Sequence, residues 1–242
     1  LIERPVTIIS SFVPGFLSFQ KKKGALVVIK SITVSFCSIL WMSLGSCTAR
    51  QTSPSSPSES RFKVEFTPEL TDGTELPFEP HVGTGKFSNF LMLNLPFTPA
   101  HQIKKEVEKS ENIKLKDRGE AHITVITPPE FDSALSEKIE MNEINDIALK
   151  QNIQSSEVTP LCVGKFAKPE DINLATYFVV VESEDLMAIR KQVEELFLQR
   201  GGDPKSFKAS DFAPHITLGF TQRDLHKESD GAIKDKSSCL DK

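Results

Sequence analysis

The sequence predicts an α+β domain of duplicated, two-lobed form, with antiparallel sheets and flanking helices arranged around a central cleft. Three observations carry this reading. Two stretches of chain share the order strand, helix, strand; the closing strand of each holds His-Ile-Thr; and 242 residues suit one ordinary domain with appendages. The chain has 29 Lys+Arg, 33 Asp+Glu and 38% hydrophobic residues, with a mean hydropathy of −0.22. Such a composition excludes a disordered tail and a multi-span membrane protein, and it lacks the basic excess of bulk nucleic-acid binders. Four cysteines are too few for a disulfide-stapled mini-fold.

Residues 1–46 read as an upstream segment and a signal peptide. Lys21-Lys22-Lys23 forms a basic stretch ahead of the apolar Gly24 to Ile29, and after Lys30 a second apolar run extends from Ser31 to Leu44. Lys30 interrupts the run and leaves it short of the ~20 apolar residues that span a bilayer, which favours a cleaved signal. Leu44-Gly45-Ser46-Cys47 resembles the bacterial lipobox, and the resemblance implies that Cys47 is acylated and becomes the first mature residue. The alternative is a small residue near a cleavage site or inside a signal anchor. Residues 47–84 then form a tether and an irregular lead-in. Thr48 to Ser60, with Ser53-Pro54-Ser55-Ser56-Pro57-Ser58, has nothing to bury and suits a semi-extended spacer between a membrane and a folded body. Residues 1–20 fit no signal template and, with Leu1 where Met is usual, are expected to lie upstream of the true start.

The folded body is expected at residues 85–226, followed by a polar tail at 227–242. Ahead of it, one short strand is expected at Phe62 to Phe66. Phe90 to Leu95 is a buried strand, Pro96 to Pro99 a turn, and Ala100 to Ser110 a charged helix with Ile103 and Val107 on one face. Ala121 to Thr127 is a β-branched strand that Pro128-Pro129 ends in a sharp loop. Glu137 to Glu157, rich in Lys and Glu, reads as a solvated helix and connector. The second half repeats the order. Leu161 to Phe166 and Thr176 to Val181 are strands, and Glu184 to Arg200 is a helix with Leu186, Ile189, Val193, Leu196 and Phe197 on one stripe. Gly201-Gly202 ends that helix, and Phe212 to Phe220 is the last strand.

Strand residues two apart share a face. His122 and Thr124 therefore point one way while Ile123 and Val125 point the other, and His215 and Thr217 are likewise opposed by Ile216 and Leu218. Each strand packs on a core through an apolar back and offers an imidazole with a hydroxyl at its front. Two imidazoles of unperturbed pKa ~6.5 can serve as base and acid in one turnover, and two hydroxyls can donate to anionic oxygens. A phosphodiester is the natural substrate for that set, and no metal or other cofactor is required.

Ala121-His-Ile-Thr-Val and Pro214-His-Ile-Thr-Leu resemble the paired His-x-Thr motifs of the two-histidine (2H) phosphoesterase superfamily, over roughly Phe87 to Arg223. The superfamily includes 2′,3′-cyclic nucleotide phosphodiesterases, RNA 2′-5′ ligase-like enzymes and cyclic ADP-ribose phosphate hydrolases. The resemblance implies a duplicated fold, His122 and His215 as general base and acid in an order the sequence leaves open, and Thr124 and Thr217 on the non-bridging phosphate oxygens. The substrate it implies is a small cyclic phosphodiester, a nucleotide or an RNA end, with hydrolysis and ligation both open. Weaker substrate-binding candidates are Arg223 as a phosphate clamp, with a surface ion pair as the alternative, and Tyr177 and Phe131 as base-stacking rings, with core packing as theirs. His81 and His101 are expected at the surface, and Cys162 and Cys239 are free to pair after export. Two rivals remain: a non-catalytic nucleotide- or phosphate-binding envelope lipoprotein, and a zinc hydrolase using His122, His215 and His226.

Residues 1–46 hold five Lys+Arg and one acidic residue, so the chain from Cys47 carries 24 basic against 32 acidic residues, a net −8. That balance points to a small substrate held locally and away from long nucleic acid. The expected setting is a monomer in the cell envelope, tethered to the membrane by its lipid and facing the periplasm or exterior.

Overall fold

The structure, a computed structural model, describes residues 64–240. The expected signal segment, Cys47 and the Ser/Pro tether lie outside these residues. In chain order the elements are β1 (Leu91–Leu95), α1 (Phe97–Glu111), β2 (Ala121–Ile126), α2 (Pro128–Ser133), α3 (Met141–Lys150), β3 (Thr159–Lys168), β4 (Asp171–Glu182), α4 (Glu184–Gln199), β5 (His215–Phe220) and the one-turn α5 (Lys227–Asp230). The strands form an antiparallel sheet of five, ordered β1-β2-β5-β4-β3. The α+β architecture is as expected, and the two lobes, β1-α1-β2 and β4-α4-β5, share this sheet and meet along β2 and β5.

Alternation sorts the strand residues by face. Leu91, Leu93, Leu95, Ile123, Val125, Tyr177, Val179, Val181, Ile216 and Leu218 form one core with Ile103 and Val107 of α1 and Leu186, Ile189, Val193 and Phe197 of α4. The helices therefore cover one face of the sheet. On the other face the apolar residues shrink to a small cluster of Cys162, Phe178 and Val180, beside the polar front positions of β2 and β5. Within that cluster the Phe178 ring lies so close over Gly164 that a Cβ there would stand 2.5 Å from it, so β3 needs glycine at this point.

Several local expectations change. Pro128 and Pro129 form the first turn of α2, where no N–H needs an intrahelical partner. Thr127 caps that helix, Glu130 N donating to Thr127 Oγ1 at 3.2 Å and Thr127 N to Glu130 Oε2 at 2.9 Å. Val64 to Phe66, the described part of the expected early strand, is irregular and leads to a 3-10 turn, Pro68–Leu70, whose Leu70 is buried. The Glu137 to Glu157 segment is no solvated connector: Met141, Ile144 and Ala148, spaced three and four apart, carry one face of α3 into the core. The polar tail is folded chain that closes on Cys162 through Cys239 in a disulfide spanning 77 residues.

One side chain ties the halves together. Arg190 sits on the buried stripe of α4 at 1% exposure. Its Nε donates to Ala209 O at 3.0 Å, one terminal nitrogen to Val125 O at 2.7 Å and Glu130 Oε2 at 3.2 Å, and the other to Glu130 Oε1 at 2.8 Å and Lys208 O at 3.0 Å. All five guanidinium donors are used. Val125 is available because a register shift leaves it opposite no residue of β1. The rings of Phe207 and Phe212 lie on the guanidinium, each 4.9 Å from its carbon.

Arg190→Met is expected to cost about 3–5 kcal/mol, because it leaves a carboxylate and three carbonyls without their donor. Arg190→Lys should recover little of this, since an ammonium cannot fork to so many acceptors. Urea unfolding of both variants measures the effect, and a loss for Arg190→Met below about 1 kcal/mol would contradict the role given to this contact.

Candidate active site

The two closing strands meet at one ladder pair, Ile123 with Ile216. Counting outward along antiparallel strands sets His122 opposite Thr217 and Thr124 opposite His215. Each imidazole thus stands beside the other motif's hydroxyl, and all four side chains share the face that the helices leave open. The duplicated halves are related by a local two-fold at this pair, so a pattern repeated in sequence becomes a crossed quartet in space.

The two histidines differ in their surroundings. His215 has its Nδ1 2.8 Å from Ala213 O. A carbonyl only accepts, so Nδ1 carries the proton and the neutral ring presents an unprotonated Nε2. The edge of Phe178 backs the ring at 5.7 Å between centroids. Burial pushes the His215 pKa down to about 3, helped by the Lys234 ammonium and by His122. The His122 side chain is 19% exposed, with Nδ1 3.6 Å from Glu120 Oε1. Its pKa is also lowered, first by burial and then by Arg118 and His81, while Glu120 and Asp224 pull the other way.

Asp224 is the charged centre beside this pair. Its Oδ1 accepts from Thr176 Oγ1 at 3.1 Å and from Lys234 Nζ at 3.1 Å, and its Oδ2 lies 3.3 Å from an Arg118 terminal nitrogen and 3.9 Å from His226 Nε2. Thr176 is itself fixed by the Leu225 N–H at 2.9 Å. Thr176 and Phe178 share a face of β4, so this group flanks the quartet on the β4 side. On the β1 side His81 stacks on Phe90 at 4.0 Å and acts electrostatically on His122. It is part of the site's surroundings and not the bare surface residue expected. His101 is half-buried, against Phe97 and 3.7 Å from Asp117.

The weaker candidates go elsewhere. Tyr177 is buried on the helix-covered face, and its hydroxyl is 3.1 Å from Glu111 Oε2. Its alternation with Val179 and Val181 was the sequence signal for this, one residue out of step with Phe178. Phe131 is a core residue of α2 in the same helical layer. Arg223 is paired through both terminal nitrogens with Asp230, at 2.9 and 2.6 Å. Its guanidinium steadies the chain after β5 instead of standing free for a phosphate. Among the described residues no three His, Cys, Asp or Glu side chains converge as metal ligands, so His122, His215 and His226 do not form a zinc triad.

Of the residues missed at the sequence level, Arg118 and Glu120 sit just before the first motif and Asp224 shortly after the second strand, within reach of a local search. Lys234 has no such signal, because only the folding-back of the C-terminal chain brings it in.

Beyond this geometry, a family model described as "Swiss Army Knife, 2H phosphoesterase domain" matches residues 89–226. No curated protein matches the chain.

The neutral His215 makes stability depend on pH with a definite sign. Below pH 6.5 the unfolded imidazole takes up a proton that the folded one refuses until about 3, so acid favours unfolding over that window. Thermal unfolding between pH 7 and 4 should show His215→Phe losing less stability on acidification than the parent. Equal losses would count against a neutral, buried His215.

Proposed function

This chain belongs to the 2H phosphoesterase family, and from that premise we propose that it opens a 2′,3′-cyclic phosphate or a similar small cyclic phosphodiester without a metal. The crossed His/Thr quartet carries the reading. His215 Nε2 takes a proton from water as its oxygen attacks phosphorus. The bond from phosphorus to one ribose oxygen breaks, and that oxygen leaves with the proton of His122, giving a phosphomonoester. Thr124 and Thr217 donate to the non-bridging oxygens, whose charge grows in the transition state. Proton exchange with solvent returns His215 to neutral and His122 to its charged form.

The division of labour is supported by the unequal surroundings of the two rings. His215 has its tautomer fixed by Ala213 and is held neutral by burial, so Nε2 is unprotonated and can accept a proton. His122 has the Glu120 carboxylate beside it, which favours the charged ring against the burial that lowers its pKa. Small substrate size is supported by the net −8 of the chain from Cys47.

We also propose that the protein is a lipoprotein of the cell envelope, anchored through Cys47, and that it works there as a monomer. The basic, apolar and Leu44-Gly45-Ser46-Cys47 succession supports this, as does the Cys162–Cys239 disulfide, a bond that persists in oxidising compartments.

Assay of 2′,3′-cyclic nucleotides with EDTA present should give turnover, with His122→Ala and His215→Ala each reduced at least about 100-fold and still folded. In the parent, kcat/KM should fall as pH rises through the His122 pKa, which lies below 6.5, and as it drops through about 3, where His215 protonates. Full activity in either variant would overturn the mechanism, and stabilisation by phosphate with no turnover would leave a binding domain. For the anchor, mass spectrometry of the mature protein should find acylated Cys47 at its N-terminus; an unmodified terminus upstream of it would refute lipidation.

A further inference from the structure

The chain beyond β5 folds back over the histidine-bearing face and is fixed at successive points. Asp230 holds Arg223 and Lys168, the latter at 3.1 Å. Ala232 and Lys234 are buried. Lys236 pairs with Glu182 at 2.5 Å, at the far end of β4. Cys239 is bonded to Cys162, and Leu240 N donates to Val163 O at 2.9 Å. This arm therefore crosses the small apolar cluster of β3 and β4 and ends locked to β3. It delivers Lys234 Nζ to 3.1 Å from Asp224 Oδ1 and 5.9 Å from the centroid of the Phe178 ring, the same ring that backs His215.

A buried lysine is costly unless its charge serves a partner. Here the direct partner is Asp224, at 3.1 Å, whose carboxylate also meets Thr176 and Arg118. We propose that Lys234 is a further positioning residue of the active site, brought in by the disulfide-fastened arm, which holds Asp224 in place and keeps a positive charge beside His215. The inference rests on the reading of His215 as the base. The groups that face Lys234 are Asp224 and His226 after β5, Arg118 before β2, Glu228 of α5 and His215 itself. Those that face His215 are Lys234, Asp224 and His122. With the ammonium in place protonation of His215 is opposed. With it gone the Asp224 carboxylate is left to favour protonation, and the base is lost to a proton at a higher pH.

The test compares the oxidised full chain with Lys234→Met and Lys234→Arg. The acidic limb of kcat/KM, and the NMR titration of the His215 ring, should move up by about one pH unit or more in Lys234→Met and return toward the parent in Lys234→Arg. The parent with its disulfide reduced, or Cys162→Ser/Cys239→Ser, should shift in the same direction as Lys234→Met. An unchanged His215 midpoint in Lys234→Met overturns the proposal. Should that variant not fold, equal midpoints in oxidised and reduced parent overturn it instead. If the parent cleaves no cyclic phosphodiester, the proposed substrate fails, while the NMR midpoints still decide the role of Lys234.

Discussion

Arg190 commits all five of its N–H donors to acceptors from separate stretches of chain, and what it joins is the seam between β2 and β5. Val125 lies at the end of β2, Glu130 in the helix that follows it, and Lys208 and Ala209 in the loop that leads to β5. The seam itself has a single ladder pair. A second backbone bridge joins Lys116, ahead of β2, to Phe220 at 2.8 and 2.9 Å, and the packing of Ile123 with Ile216 and this guanidinium add to it in holding one half against the other. The proposed catalysis by two imidazoles needs their separation held, and Arg190 is one of the contacts that holds it.

The sheet's one-sidedness explains why the site lies where it does. Both connecting helices, α1 and α4, cover the same face, which takes the Ile and Val backs of the motif strands into the core. The opposite face then needs no long apolar residues, and the strands can present His and Thr there at no cost in core packing. Partial burial of those imidazoles follows from the arm and lead-in that rim the face. Burial is in turn what keeps His215 neutral.

Periodicity and turn chemistry made much of this legible. The β-branched runs, the helix stripe of α4 and the Gly201 terminus are local features, and they appear at or near the expected residues. The motif strands were legible to the level of which residues share a face. Where sequence and structure differ, a second local rule competes with the first or a distant contact decides. Pro128-Pro129 stops a strand, but it also starts a helix when Thr127 and Glu130 flank it. Tyr177 carries a ring suited to stacking on a base, but the alternation of β4 buries it. Arg190 lies on the apolar stripe of α4, and the stripe says nothing about where the partners of its charge will come from. Lys234 and Asp224 come together across ten residues of chain that follow no period, so no window of sequence contains the reason.

The limit of the duplication is also chemical. Two copies of His-Ile-Thr related by a two-fold would have equal environments and equal proton affinities, and nothing would then assign either ring to one role. What separates them is partly an unlike residue at matching positions, Glu120 and Ala213 each standing two before its histidine, and partly chain outside the repeat. Ala213 and the arm act on His215, and Glu120 and His81 act on His122. The repeated halves place four side chains with near symmetry, which Glu120 against Ala213 and the flanking His81 and Lys234 break. An element expected as a tail becomes, once Cys239 fastens it to β3, part of what makes one histidine differ from the other.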